Sequence, residues 1–322
     1  MGLWSRLFGS SDETIDDDIL DFEDELTEEE QVARRRALLK RVRKLEIITR
    51  KVVNEQMAGS YHSAFKGRGM DFDKVRLYQP GDEIRFIDWN VSARMGDIYI
   101  KQFVEERELT VFLLVDASAS QWFGTGEKSK QEASAEIGAL LAFSAIKNND
   151  RIGLIIFTDR IELFVPPKKG RKHVLRVIRE ILEFKPEGRS TGLGDALDFF
   201  NKVSKRRSVA FMISDFQDAE YRKSILVASK RHDLIPIVVM DPAEASLPRL
   251  GTVALENPET REMVLVDTLS RSGRARFEAL SREVREKREK MFNQIGMEFV
   301  TIETNKSPFQ PLVNYFKLRA RR

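Results

Sequence analysis

Asp116-Ala117-Ser118-Ala119-Ser120 sets one carboxylate and two hydroxyls around a single turn. The turn directly follows the apolar run Val111-Phe112-Leu113-Leu114-Val115, which reads as a buried parallel strand. Oxygen donors of this kind suit a hard divalent cation such as Mg²⁺, which keeps some of its waters and takes few protein carboxylates. The ends of parallel strands are also where open α/β sheets bind ligands. An ordinary turn uses the same residue types, so the cluster needs support from elsewhere. Two later loops supply it. Arg189-Ser190-Thr191-Gly192-Leu193-Gly194-Asp195-Ala196-Leu197 is a Gly-rich turn that opens a helix and carries a hydroxyl. Asp215 follows a second apolar run, Val209-Ala210-Phe211-Met212-Ile213-Ser214. Taken singly, Thr191 reads as well as a helix N-cap and Asp215 as a strand-end turn.

Other chemistry finds little footing. The chain has no cysteine, which excludes disulfides, thiol nucleophiles and zinc ribbons and agrees with a reducing, cytoplasmic setting. His62, His173 and His232 lie far apart with no metal-ligand spacing. Gly124-Thr125-Gly126-Glu127-Lys128-Ser129 imitates a phosphate loop, but Glu127 separates Gly from Lys and the required spacing fails. There is no G-x-S-x-G elbow. A phosphatase of the haloacid-dehalogenase type uses D-x-D-x-T with the second Asp as general acid, and Ser118 stands at that position. A metal-dependent hydrolase or phosphatase at the Asp/Ser cluster therefore remains only as an uncharted alternative to a binding module.

The elements that would position these residues follow from pattern. From Leu109 strands and helices alternate: strand 111–115, helix 130–147, strand 151–158, an antiparallel edge piece 161–165 closed off by Pro166-Pro167, helices 171–184 and 192–204, strand 208–214, helix 221–232 and strand 234–240. A hairpin at 252–267, a long charged helix at 274–293, strand 297–303 and a C-terminal helix complete the chain. The expected fold is α/β, a mainly parallel sheet with helices on both faces. Residues 59–108 instead show short extended pieces, Val75-Arg76-Leu77-Tyr78, Ile84-Arg85-Phe86-Ile87-Asp88-Trp89 and Ile98-Tyr99-Ile100-Lys101-Gln102-Phe103, and predict a small β-rich subdomain. The division expected is 1–31 acidic and disordered, 32–108 basic helix plus small subdomain, and 109–322 main domain with a hairpin insertion near 252–267.

A formal net charge of +3 does not argue for nucleic acid. The balance hides an asymmetry: residues 11–30 hold a dozen acids and no base, whereas 34–51 are strongly basic. Leu38, Val42, Leu45, Ile48 and Val52 fall on one helical face of the basic stretch, which predicts an amphipathic helix docked on the main domain. A phosphate- or membrane-binding basic surface ranks below that, and would show binding that falls steeply with salt. No run reaches the ~18 apolar residues of a membrane helix. The opening Met1-Gly2-Leu3-Trp4-Ser5-Arg6-Leu7-Phe8 suits a peripheral membrane contact or a partner groove.

Strand–Asp, loop–Thr and strand–Asp in this order resemble the metal-ion-dependent adhesion site of von Willebrand factor A domains. That resemblance implies Mg²⁺ (or Mn²⁺) on the hydroxyls of Ser118, Ser120 and Thr191, with Asp116 and Asp215 bonding directly or through water. A wider set resembles domain-of-unknown-function family 58: Gly67-Arg68-Gly69 with Phe72, Tyr78-Gln79-Pro80-Gly81-Asp82, Asp88-Trp89-Asn90, Ala93-Arg94, Lys101-Gln102-Phe103, Asp150-Arg151-Ile152-Gly153, Pro166-Pro167 with Gly170-Arg171, Ile213-Ser214-Asp215-Phe216, Arg231-His232-Asp233 and Asp241-Pro242. Asn257-Pro258-Glu259-Thr260-Arg261 departs from it, since Gly is expected where Arg261 stands. The resemblance implies a bacterial protein with a von Willebrand A-like domain that works with a MoxR-type AAA+ ATPase as adaptor or co-chaperone. The natural ligand of the metal would then be an acidic side chain of the partner.

Overall fold

The computed structural model describes residues 57–65, 71–104, 108–126, 128–218, 221–257 and 261–321, with residues 40, 42–43, 46–49 and 51–53 before them. The expectations for 1–31, for most of the basic stretch and for Gly67-Arg68-Gly69 lie outside the described residues.

Helix α1 (Ala58–Ala64) precedes strand β1 (Asp71–Leu77), helix α2 (Trp89–Met95) and strand β2 (Tyr99–Val104). The main sheet uses β3 (Thr110–Asp116), β4 (Arg151–Phe157), β5 (Ile161–Lys168), β6 (Val209–Ser214), β7 (Asp233–Met240) and, after a hairpin of β8 (Thr252–Glu256) and β9 (Met263–Asp267), β10 (Val300–Glu303). Helices α3 (Lys130–Lys147), α4 (Arg171–Glu183), α5 (Leu193–Val203), α6 (Arg222–Arg231), α7 (Arg271–Ile295) and α8 (Phe309–Ala320) connect or cover these strands.

The six strands run in the order β10-β7-β6-β3-β4-β5, all parallel except β5, which lies antiparallel to β4. Alternate side chains feed two separate cores. On one face Val111, Leu113 and Val115 of β3 pack with Ile137 and Leu141 of α3, Val177 and Ile178 of α4, and Phe316 of α8. On the other, Phe112 and Leu114 meet Leu197 and Phe200 of α5, Ile225 of α6 and Phe292 of α7. This is the mixed α/β sheet that the alternation of elements predicted.

From β3 the chain passes to β4 and β5 on one side, then returns to place β6 on the other side of β3. The strand order therefore reverses between β3 and β6. Crevices at such reversals, beyond the C-terminal strand ends, are where open α/β sheets bind ligands.

The segment before the main sheet departs from expectation. β1 and β2 do pair antiparallel. Ile84 to Trp89, however, is not a strand: Ile84–Phe86 is a 3-10 turn and Trp89–Met95 an α-helix. Asp88 caps that helix by accepting from the Asn90 and Val91 N–H groups, and Gly96 closes it at φ 82°. The basic stretch also buries a different stripe. Val42, Glu46, Thr49 and Val53 are buried while Ile48 is 49% exposed. Arg171 donates to the Glu46 carboxylate at 2.8 Å, which makes that inward position tolerable for an acid.

Candidate metal centre

Asp116 ends β3, a strand with a parallel neighbour on each side, and its carboxylate is held on both oxygens. Oδ1 accepts from the Ser118 N–H at 2.9 Å, and Oδ2 accepts from the Ser214 hydroxyl at 2.6 Å. The backbone then turns through a 3-10 segment, Ala119–Trp122, which brings the Ser118 and Ser120 Oγ atoms to 3.2 Å from each other. Both serines are buried, yet Trp122 at the end of the turn is 54% exposed. Buried Gln121 donates from Nε2 to Ser120 Oγ at 3.3 Å, while its Oε1 has no hydrogen-bond partner.

Because β6 lies beside β3, Asp215, one residue past the end of β6, stands on the opposite side of the same crevice. Its Oδ1 accepts from the Gln217 N–H at 3.3 Å, and the Ser120 hydroxyl also bonds it. Thr191 arrives by its loop. The Arg189 carbonyl accepts from the Ala119 N–H at 2.9 Å, and the Gly192 N–H donates to the Thr158 carbonyl at 2.8 Å, so residues 189–192 are tied across the ends of β3 and β4. Thr191 is not the N-cap of α5, since Gly192 holds that position without a side-chain cap. Thus hydrogen bonds join Asp116, Ser118, Ser120 and Asp215 in one group, and Thr191 is carried to its margin by the loop.

Lys130 completes the group, and pattern reading missed it. It is the first residue of α3, fully buried, and its Nζ lies 2.8 Å from Asp215 Oδ2 while also pairing with Glu244. Ser129 and Glu132 form a capping box at this helix start, which fixes where Lys130 points its chain. The imitation phosphate loop proves structural: the Thr125 N–H and hydroxyl both donate to the Asp241 carboxylate, which also accepts from Thr304.

Charge in the crevice is unevenly balanced. Burial, then repulsion from Asp215, pushes the Asp116 carboxyl above the ordinary carboxylate range despite the bonds from Ser118 and Ser214. Burial would raise Asp215 too, but the Lys130 ammonium overrides it and holds Asp215 low. Burial raises Glu244, with Lys130 opposing it. A cation beside Asp116 would relieve both burial and repulsion.

Among the described residues no three His, Cys, Asp or Glu side chains are grouped to hold a metal ion. Any ion here would rest largely on neutral oxygens. The Ser118 and Ser120 hydroxyls, the carboxylates of Asp116 and Asp215 and the unpartnered Oε1 of neighbouring Gln121 are donors of that kind, and hard oxygen donors would select Mg²⁺ or Mn²⁺ over softer metals. The residues present fit the ion.

A family profile described as "Protein of unknown function DUF58" matches residues 74–287, which include all five candidate residues and Lys130. The chain is similar to the uncharacterized protein Rv1480 of Mycobacterium tuberculosis, 31% identical over 68% of this chain and 70% of the relative. It is similar also to the uncharacterized protein YeaD of Bacillus subtilis, 31% identical over 33% of this chain and 25% of the relative. Among solved structures, the conserved hypothetical protein BatB of Bacteroides thetaiotaomicron is similar over 66% of this chain and 100% of its own, at 14% identity and a TM-score of 0.43. Among the described residues no helix is long and apolar enough to cross a membrane.

Proposed function

The chain belongs to the DUF58 family, and on that premise we propose that it is a metal-dependent protein-interaction module of von Willebrand A-like type. Asp116, Ser118, Ser120, Thr191 and Asp215 would hold Mg²⁺ or Mn²⁺, and an acidic side chain of a partner would complete the coordination. The observation that carries this reading is the bonded cluster of Asp116, Ser118, Ser120 and Asp215 at the strand-order reversal. Serine and threonine hydroxyls are neutral, so they orient an ion without cancelling its charge. A bound ion would supply an electrophilic point for a carboxylate. Ser214 and the Ser118 N–H fix the Asp116 carboxylate, and the tie from Ala119 to Arg189 keeps the two hydroxyl-bearing loops in register. We take the partner to be a MoxR-type AAA+ ATPase, as the resemblance of the motifs implies, and the location to be cytoplasmic.

The competing hydrolase reading has less support. A carboxyl raised toward neutrality suits proton transfer, but Asp116 is 1% exposed and both its oxygens are already engaged.

Calorimetric titration of Mg²⁺ tests the adhesion reading. The wild type should bind saturably, and Ser118→Ala/Ser120→Ala should bind at least about tenfold more weakly, the scale seen even when groups outside the coordination shell are lost. Equal affinity in the two proteins would overturn it. Phosphate-ester hydrolysis by the pure protein, lost in Asp116→Ala, would replace it with the hydrolase reading.

A further inference from the structure

Lys130 lies deeper than any other lysine described. Its side chain has no exposure, and both groups it pairs with, Asp215 and Glu244, are themselves buried. Behind them Arg288 of α7, 7% exposed, donates from Nη1 to the Asp215 carbonyl at 2.7 Å. Burying an ammonium is costly unless it is paired and hydrogen-bonded, and here its two carboxylate partners come from separate segments, one after β6 and one after β7. An apolar residue could fill this space, so the charge calls for a role.

The contact geometry indicates one. Lys130 donates to Oδ2 of Asp215 at 2.8 Å, while Oδ1 accepts the longer 3.3 Å bond from the Gln217 N–H. We infer that Lys130 is a positioning residue that sets the cation affinity of the site, engaging one oxygen of Asp215 and placing a fixed positive charge next to the ion. This rests on the metal reading given above. Without the ammonium, Asp215 would offer its full negative charge, and an ion so satisfied would have less attraction left for a partner's acid. With it, the site binds its ion more loosely and keeps it electropositive.

The test uses the full chain, Mg²⁺ alone as titrant, and circular dichroism to verify folding. Lys130→Met by itself strands two buried carboxylates and is a poor probe. Two variants, read against each other, replace it. Lys130→Met/Glu244→Gln removes one positive and one negative charge together, so its dissociation constant should lie about tenfold or more below that of Glu244→Gln alone and near that of the wild type, the Coulombic scale for deleting a unit charge a few ångströms from a divalent ion. Glu244→Gln alone keeps the ammonium and removes a negative charge, so its dissociation constant should rise by about the same factor. A purely structural pair would weaken binding in both variants or change neither, and either result overturns the inference. An unfolded double variant leaves the rise in Glu244→Gln to decide: an unchanged or lower constant there also overturns it. A wild type that binds no Mg²⁺ removes the metal reading itself, an outcome distinct from wild-type binding without the difference between the two variants.

Discussion

Asp150 shows how a single side chain can join the parts of this fold. It is 2% exposed, accepts from the Leu109 N–H at 2.9 Å and from the Tyr61 hydroxyl at 3.3 Å, and so ties α1 to the start of β3. Burial pushes its carboxyl up to about 6, against those two bonds. The folded value thus lies above the ordinary ~3.9 of an unfolded chain. Protonation then favours the folded state, so this group's contribution is full below about 4 and is lost as pH rises through about 6. Asp150→Asn keeps an acceptor oxygen but cannot ionise. Its melting temperature should fall less steeply between pH 4 and 6 than that of the wild type, and matching slopes would show that Asp150 does not titrate there. At this scale the sequence was partly legible. Asp116, Ser118, Ser120 and Asp215 stood out because polar residues directly after apolar runs are conspicuous. Lys130 and Glu244 did not, because a lysine inside Glu127-Lys128-Ser129-Lys130-Gln131-Glu132 looks like any solvated charge until the helix cap points it inward.

Among the elements, the loop carrying Thr191 depends on a glycine that carries no signal of its own. A Cβ built on Gly188 would lie 2.2 Å from Thr158 Oγ1 and 2.0 Å from Asp159 Oδ1, while the Gly188 N–H donates to Glu162 at 2.8 Å. Thr158 is fully buried and has no room to withdraw. Gly188→Ala should therefore displace residues 189–192, costing about 1–3 kcal/mol of stability. It should also weaken Mg²⁺ binding, because the Arg189 carbonyl would leave the Ala119 N–H. Thermal melting and calorimetry on the same preparation check both, and an unperturbed variant would mean that the loop is not held from Gly188. Strands and helices of the main sheet were readable because their periods persist over whole elements. The extended piece expected at 84–89 does not form because its alternation is short and the Asp88 cap overrides it. Arg261, where Gly was expected, sits at φ 61°, a conformation glycine adopts freely and arginine at a cost. Residues 258–260 of that turn lie outside the described residues.

For the molecule as a whole, alternation of strands and helices was enough to predict a mainly parallel sheet covered on both faces, and the two cores bear that out. The strand order was not legible. Nothing local in β6 says that it will lie beside β3 rather than beyond β5, and only that choice brings Asp215 to Asp116. The third core is small: Leu247, with Leu255 and Val266 of the hairpin, rests on Phe277, Leu280 and Val284 of α7.

The two edges of the main sheet bear on how the chain behaves when crowded. β5 was expected to stop before Pro166-Pro167, yet it continues through both to Lys168, with a register shift between Ile152 and Leu154 of β4 opposite them. Two successive prolines remove two N–H groups from this edge strand, and the bulge turns what remains away from a flat template. At the other edge β10 is four residues long. Neither border offers a long ladder to a neighbouring copy, which guards against runaway strand-to-strand aggregation. Pro166→Thr/Pro167→Thr should restore the missing donors and make the protein scatter more light as its concentration rises. Scattering equal to that of the wild type would mean that the prolines do not protect this border. Associations that the fold does permit are thereby steered away from the two borders of the sheet.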